Sequence, residues 1–118
     1  MSTMGRNMKL TVDEAHRGAL RRVMVELLGA KNQAVSDAFE VFLLEDGFNL
    51  GVYFAEGGGM SSAEARDRGV WIELLVDDVN ETNQRLLEGG VERCAYDVDP
   101  ENTYFWLPGG PVFRLGTR

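Results

Sequence analysis

The chain has 118 residues, which is enough to bury one hydrophobic core but too few for two independently stable domains. Hydrophobic residues make up 44% of it and charged residues 26%, a composition typical of globular proteins and unlike that of disordered chains. The net charge of −7 repels phosphate backbones, so we expect no nucleic-acid partner.

The sequence also argues against a membrane or secreted protein. No apolar run approaches the ~18 residues of a membrane span, and the polar start MSTMGRNMKL lacks the apolar core of a signal peptide. The single cysteine, Cys94, cannot form an internal disulfide, which agrees with a reducing compartment. We therefore expect a cytoplasmic protein, with Cys94 in a structural role.

Two similar segments begin two similar series of predicted elements. KLTVDE, residues 9–14, and ELLVDD, residues 73–78, lie 64 positions apart and share the pattern charged-Leu-x-Val-Asp-acidic. Each is predicted to be a strand that leads into a helix, and further strands follow each helix. The repeated order of strand, helix and strands predicts an internal repeat.

In the first half, the helix after KLTVDE has its apolar residues on one face, and Gly29 supplies a left-handed end. Those apolar residues are Ala15, Ala19, Leu20, Val23, Met24, Leu27 and Leu28. Residues 39–44 and 48–54 are then predicted to be strands joined by a tight turn at Asp46-Gly47.

In the second half, a helix is predicted to begin at Asp78, with Glu81 three residues later, and to end at Gly89. The strands predicted after it are residues 91–96, 103–107 and 112–115. Between the halves, a Gly-, Ser- and charge-rich stretch, residues 56–69, is expected to form a flexible linker.

Three pieces of the second half resemble the vicinal oxygen chelate superfamily, which includes lactoylglutathione lyases, extradiol dioxygenases and bleomycin-type resistance proteins. They are VWIELLVDDV, the helix end LLEGGV, and the ending YFWLPGGPVFRL. In that ending Leu107 stands where the superfamily usually has an Asp. The first half matches only in its order of elements, in KLTVD and in the LLG helix end.

The resemblance implies an α+β fold in which paired βαβββ modules form a curved mixed sheet around a cleft, with the helices outside. The modules would span about residues 6–56 and 69–118, joined by the linker at 57–68, within one glyoxalase/bleomycin-resistance-like domain of residues 1–118. Proteins of this superfamily usually dimerise, so a homodimer is expected.

The period of two in strands then separates the residues under the helices from those facing the cleft. The expected core positions are Met8, Leu10, Val12, Ile72, Leu74, Val76, Phe113 and Leu115. The expected cleft positions are Asn7, Lys9, Thr11, Trp71, Glu73, Leu75, Val112 and Arg114.

Metalloenzymes of the superfamily hold their ion at positions that correspond here to Asn7, Gly51, Trp71 and Arg114. None of these residues is a good metal ligand. A guanidinium has five hydrogen-bond donors, no lone pair to offer and a permanent positive charge, so Arg114 would repel a divalent cation. One histidine and one cysteine also fall short of the ligands that zinc or iron sites usually use. We therefore expect no metal and no other cofactor.

The inward-facing charges have two interpretations, because charged side chains are rarely buried unless they are paired. Glu73 and Arg114 can form an ion pair that replaces the metal, or Arg114 and Lys9 can clamp an anionic group of a ligand. Trp71 and Trp106 can either stack an aromatic ligand or pack in the core. His16 is expected to be solvated or locally bonded, without a catalytic role.

The preferred hypothesis is a metal-independent binding protein whose cleft holds a small organic molecule, aromatic or anionic, with sequestration of an antibiotic-like compound as the candidate role. Its predicted ligand-binding residues are Asn7, Lys9, Trp71, Glu73, Trp106 and Arg114, and none is assigned to catalysis. One alternative is a metal-dependent lyase, isomerase or dioxygenase that uses other carboxylates, drawn from Glu40, Glu45, Glu56 and Glu73. The other alternative is a structural dimer without a ligand.

Overall fold

A computed structural model describes residues 1–94, 96 and 103–118. The elements of the first half are β1 (Asn7–Val12), a 3-10 turn (Glu14–His16), α1 (Arg17–Arg21), a π-helical segment (Arg22–Leu27), β2 (Lys31–Ala34), β3 (Phe39–Leu43) and β4 (Asn49–Phe54). Those that follow are α2 (Ser62–Arg68), β5 (Trp71–Val76), α3 (Val79–Glu88), β6 (Tyr104–Trp106) and β7 (Val112–Thr117).

The strands form two mixed sheets with matching topology, which confirms the predicted α+β fold. The first sheet has the order β1-β4-β3-β2 and the second the order β5-β7-β6. In each sheet the first strand pairs in parallel with the last, β1 with β4 and β5 with β7. Strands β1 and β5 are both six residues long and start at positions 7 and 71, which reproduces the 64-residue spacing of the repeat.

Three elements differ from the sequence predictions. Strand β2 was not predicted; its residues KNQA are all exposed, and pairing with β3 alone defines it. The predicted strand at 91–96 is reduced to an isolated bridge between Arg93 and Phe105, with Ala95 and residues 97–102 outside the described part of the chain. The stretch expected to be a flexible linker contains α2.

Side-chain caps set where the helices begin. Asp78 accepts a hydrogen bond from the Glu81 backbone N–H at 3.0 Å, as the sequence predicted. Ser61 and Glu64 form a capping box at the start of α2, each side chain bonding the other residue's backbone N–H. Gly29, with φ of 77°, ends the first helix in the left-handed conformation that the sequence indicated.

One hydrophobic core joins the two halves. Leu20 of the first helix and Phe42 of β3 lie in the same buried cluster as Leu86 of α3 and Phe113 of β7. The two helices also exchange hydrogen bonds: the Arg22 guanidinium donates to the Gly89 carbonyl at 2.8 Å, and the Arg85 guanidinium donates to the Leu27 carbonyl at 3.4 Å. The halves are therefore packed into a single unit.

Glu40 of β3 is fully buried on the helix-facing side of the first sheet. Its carboxylate accepts hydrogen bonds from Arg17 at 2.6 Å, from Arg21 at 2.8 and 2.9 Å, and from Asn32 at 2.9 Å. Burial by itself raises the pKa of Glu40, but hydrogen bonds from Arg21, Asn32 and Arg17 outweigh it, so the pKa stays below its usual value. Glu40 thus ties the first helix and β2 to the middle of the sheet.

None of the helices in the described residues has the length and apolar character needed to cross a membrane.

Candidate functional site

The alternation of β5 creates an open face on the second sheet. Ile72, Leu74 and Val76 pack against the hydrophobic core, whereas their neighbours Trp71, Glu73 and Leu75 are exposed. In β7, Phe113 and Leu115 are buried and Arg114 points to the other side. This confirms the predicted separation of core and cleft positions for β5 and for Phe113, Arg114 and Leu115. We call the side of this sheet that carries Trp71, Glu73, Leu75, Tyr104 and Arg114 the second-half face.

Arg114 and Glu73 stand opposite each other at the centre of the second-half face. They are register partners in the parallel pairing of β5 and β7, and Arg114 Nε lies 3.6 Å from Glu73 Oε2. The side chains are 36% and 44% exposed. The sequence analysis treated these inward-facing charges as buried, which is wrong: both are partly solvated, so their interaction is screened.

Two aromatic rings flank the Arg114 guanidinium. Its central carbon lies 5.7 Å from the centroid of the Trp71 ring and 5.5 Å from that of Tyr104, within the range of cation–π attraction. Trp71 and Tyr104 meet edge to face at 5.8 Å, and Tyr96 meets Tyr104 at 4.7 Å. The Nε atom of Arg114 is buried and makes no hydrogen bond. The guanidinium is thus held in position by the rings while part of its hydrogen-bonding capacity is unused.

Helix α2 covers the neighbouring end of the same sheet. Its Ala65 packs with Cys94 and Val112 in a second buried cluster, and Trp106 is packed against that cluster. The Trp106 N–H donates to the Gly110 carbonyl at 3.0 Å, and the Trp106 ring meets His16 edge to face at 5.4 Å. The prediction that Val112 faces an open cleft is therefore wrong, because α2 fills that space.

Trp106 is less exposed than Trp71 because it packs against the cluster that contains Ala65 of α2. Trp71 is 49% exposed, whereas Trp106 is half-buried with its N–H already bonded. Of the two predicted stacking surfaces, the structure leaves only Trp71 open. Cys94 is buried, and burial raises the pKa of its thiol, as expected for a structural cysteine.

The corresponding face of the first sheet has a different chemistry. Asn7 accepts a hydrogen bond from the Asn49 side chain at 3.0 Å, and Lys9 donates to the Thr11 hydroxyl at 2.8 Å. Lys9 and Arg114 belong to different sheets, and each has a partner of its own, Thr11 for Lys9 and Glu73 for Arg114, so the predicted clamp of these two cations stays a prediction.

The internal repeat relates the four positions at which the resemblance places the superfamily's metal ligands. Asn7 and Trp71 each start the first strand of a half; Lys9 pairs with Gly51 as Glu73 pairs with Arg114. Gly51 is thus the counterpart of Arg114.

At Gly51 the ring of Phe39 covers the strand, since a Cβ there would lie 2.6 Å from the ring. An amide, a bare glycine, an indole and a guanidinium do not fit a metal ion. No group of three or more His, Cys, Asp or Glu side chains suited to a metal occurs within residues 1–94, 96 and 103–118.

The carboxylates named for the alternative enzyme hypothesis are dispersed. Glu40 is buried among its arginine partners, and Glu45 is ion-paired with Arg118 at 2.8 Å. Glu73 faces Arg114, and Glu56 lies exposed in the turn after β4. Glu45 and Glu73 line one groove, but Glu40 and Glu56 do not, so the four carboxylates do not form one site.

Sequence reasoning missed two aromatic residues that shape these faces, Tyr96 and Phe39. Tyr96 reaches the second-half face from the segment after α3, and its proximity to Tyr104 depends on strand pairing that the sequence pattern does not specify. Phe39 was recognised only as the start of a strand. The glycine opposite it, Gly51, was the one available signal, because a glycine inside a strand often marks a close approach.

Solved structures match the chain over nearly its whole length. One described as a possible glyoxalase from Bacillus cereus is 23% identical, with a TM-score of 0.70, over 96% of this chain and 98% of that one. The oxidase ChaP-H2 is 17% identical, with a TM-score of 0.69, over 100% and 95% of the two chains.

The fosfomycin resistance protein FosX from Listeria monocytogenes, solved with Mn(II) and sulfate, is 18% identical, with a TM-score of 0.67, over 99% and 90% of the chains. No family model matches the sequence, and no curated protein is similar to it. The solved structures confirm that the chain has the fold of the vicinal oxygen chelate superfamily.

Proposed function

We propose that this protein binds a small anionic organic molecule on the second-half face without using a metal ion. The observation that carries the proposal is the partly exposed guanidinium of Arg114, which lies between the Trp71 and Tyr104 rings and has only a loose ion pair with Glu73 at 3.6 Å. A planar guanidinium in a fixed position is suited to a carboxylate or phosphate group. The exposed Trp71 ring beside it offers a surface on which an aromatic ligand can stack.

Glu73 competes with the ligand for Arg114. Because the pair is separated by 3.6 Å and is partly solvated, its loss costs little, and a ligand anion can replace it. The fold neighbours include a fosfomycin resistance protein and glyoxalase-like proteins, which supports a small-molecule ligand. Sequestration of an antibiotic-like compound is the biological role that we propose.

Titration of Trp fluorescence with an anionic aromatic such as 1-naphthoate tests the proposal, with naphthalene-1-methanol as the uncharged comparison. Arg114→Ala should weaken naphthoate binding by about tenfold or more, the effect of losing a charge-assisted pair. Arg68→Ala is the matched control, since Arg68 is an exposed arginine of α2 paired only with Glu64 among the described contacts. Equal binding by the wild type, Arg114→Ala and Arg68→Ala proteins would refute the assignment.

Metal independence is tested separately. Protein purified without chelators should contain no stoichiometric Zn, Mn, Fe or Ni, and EDTA should not change its affinity for naphthoate. One equivalent of any of these metals would instead support the lyase, isomerase or dioxygenase alternative, with ligands that differ from the superfamily positions.

We further propose that the working form is a homodimer. Exposed apolar side chains lie on the open side of the first sheet, at Val35 and Tyr53. Strand β2 is an unpaired edge of the same sheet. Covering these residues against a second copy would remove them from water and would leave the second-half face open.

Light scattering over a wide concentration range should give twice 13.1 kDa. Tyr53→Ser should shift the equilibrium toward monomer if this side of the first sheet forms the contact, whereas Val23→Ser, a change inside the core, should unfold the chain instead. A monomer at all concentrations up to the millimolar range would contradict the dimer.

A further inference from the structure

A groove with a volume of about 720 Å³ runs along the free edge of β5, the edge that does not pair with β7. Its walls come from β5, from β1 and β4, and from the turn between β3 and β4. The volume lies within the usual range for small-molecule sites, and apolar side chains form most of the lining. Met8, Phe48, Leu50, Trp71, Leu74 and Leu75 are among them.

The groove exists because the two sheets are not joined. β1 and β5 are edge strands of their sheets, and no strand pairing links the sheets within the part of the chain that the structure describes. Ile72 and Leu74 point toward the core but are only partly buried, whereas Phe113 and Leu115 of the neighbouring strand are fully buried. Apolar surface of β5 is therefore left in contact with water, which favours an apolar occupant.

One end of the groove is acidic. Glu45 and Asp46 line it, and Asp77 lies beside them through Arg118. The Arg118 guanidinium, which also lines the groove, is already paired with Glu45 at 2.8 Å and Asp77 at 2.7 Å. The other nearby cation, Arg6, donates to the backbone carbonyl of Asp46.

Three carboxylates thus meet two guanidinium groups at this end, and one of those guanidinium groups is doubly paired. A ligand anion would have to break existing ion pairs. A ligand cation would instead be attracted by the negative charge that the two guanidinium groups leave unbalanced. The net charge of −7 on the whole chain also favours a cationic ligand over an anionic one.

We propose that this groove binds an amphiphilic cation, meaning a molecule with an apolar chain or ring and a protonated amine or quaternary ammonium group. The apolar part lies along β5, and the cationic group lies beside Glu45 and Asp46. The groove differs from the second-half face in its position and in the charge of its ligand. The two sites share the β5 residues Trp71, Glu73 and Leu75, so Trp71 fluorescence reports on both.

Calorimetric titration with octyltrimethylammonium, octyl sulfate and octyl glucoside, each below its micelle concentration, tests the proposal. We expect octyltrimethylammonium to bind at a stoichiometry of one per chain, and at least about tenfold more tightly than octyl sulfate. Equal affinities for the cationic and anionic probes would overturn the proposal.

Matched variants locate the site. The double variant Glu45→Gln, Asp46→Asn should weaken octyltrimethylammonium binding about three- to tenfold, as expected for exposed charge interactions. The control Glu56→Gln, Glu92→Gln has the same net charge but changes exposed carboxylates away from the groove, and should leave the affinity unchanged. An equal loss in both double variants would mean that only net charge matters, which would overturn the groove as the site.

Leu75→Ser should weaken binding about threefold by removing apolar contact, whereas Leu43→Ser, outside the groove, should not. Arg114→Ala should not weaken octyltrimethylammonium binding, which separates this result from the anion site. If light scattering shows that the probe binds only by dissociating a dimer, a second copy of the chain is the occupant, and the proposal fails.

Discussion

Glu40 is the residue on which the first half depends most. A fully buried carboxylate is tolerable only because the side chains of Arg17, Arg21 and Asn32 all donate hydrogen bonds to it. Replacing it with Gln removes the charge and keeps the shape, so the arginines lose their common partner. We expect Glu40→Gln to lower the free energy of unfolding by about 2 kcal/mol in urea denaturation. Glu14→Gln removes an exposed partner of the same Arg17 and should cost less than about 0.5 kcal/mol.

Glu40 should also make the free energy of unfolding depend on pH. Because the folded-state pKa of Glu40 lies below its ordinary value, its contribution to stability is complete above that ordinary value and is lost as the pH falls through the folded-state pKa. The wild type should therefore lose stability more steeply than Glu40→Gln as the pH falls below the ordinary glutamate pKa of about 4.3. Parallel curves for the two proteins would show that Glu40 titrates normally.

In contrast to Glu40, the ion pair between Glu73 and Arg114 should contribute little to the stability of the fold. Both side chains are more than one third exposed, so a double-mutant cycle with alanine should give a coupling free energy of no more than about 1 kcal/mol. Arg114→Ala should accordingly leave stability nearly unchanged while it removes anion binding. A coupling above about 2 kcal/mol would mean that the pair is shielded in solution, for example by a partner copy.

At the scale of elements, α2 is the least expected part of the fold. Its Ala65 is buried against Cys94 and Val112, whereas Ala63 on the same helix is exposed. Ala65→Glu should displace α2 and raise the reaction rate of the Cys94 thiol with Ellman's reagent by about tenfold or more, since burial now suppresses the thiolate. Ala63→Glu should leave that rate unchanged. A slow thiol in both variants would show that α2 does not protect it.

The elements predicted correctly are those that bury apolar residues with a regular period. β1, β5 and α3 follow from alternating or helical spacing, and the Asp78 cap fixes where α3 begins. β2 has no such signal, because KNQA is exposed on every side and only its partner strand makes it a strand. For α2 the signal was present in Ser61 and Glu64, a capping box within a stretch whose composition suggests a loop.

The candidate site was predictable to a similar extent. The position of Arg114 between two buried residues of β7 specifies the face on which it lies, and the repeat specifies its opposite residue, Glu73. Its exposure could not be predicted, because that depends on how far the two sheets are separated. The coverage of Val112 and Trp106 by α2 is likewise a tertiary effect with no local pattern.

The whole molecule should unfold as one unit, because a single core contains residues of both halves. Both tryptophans lie in the second half, whereas far-ultraviolet circular dichroism reports on all helices and strands. We expect the two signals to give coincident urea transitions. A fluorescence transition at a different urea concentration would reveal halves that unfold independently.

The β3–β4 turn brings residues 6 and 118 close together. Arg6 bonds the backbone carbonyl of Asp46, and Arg118 bonds the side chain of the adjacent Glu45, so residues 6 and 118 lie near each other at one turn. Because each half has its own parallel strand pair, the order in which the halves are synthesised is not essential to their packing. A circular permutant that joins these two residues by a short glycine linker and opens the chain at Gly57-Gly58 would begin with the second half and would keep both sheets intact.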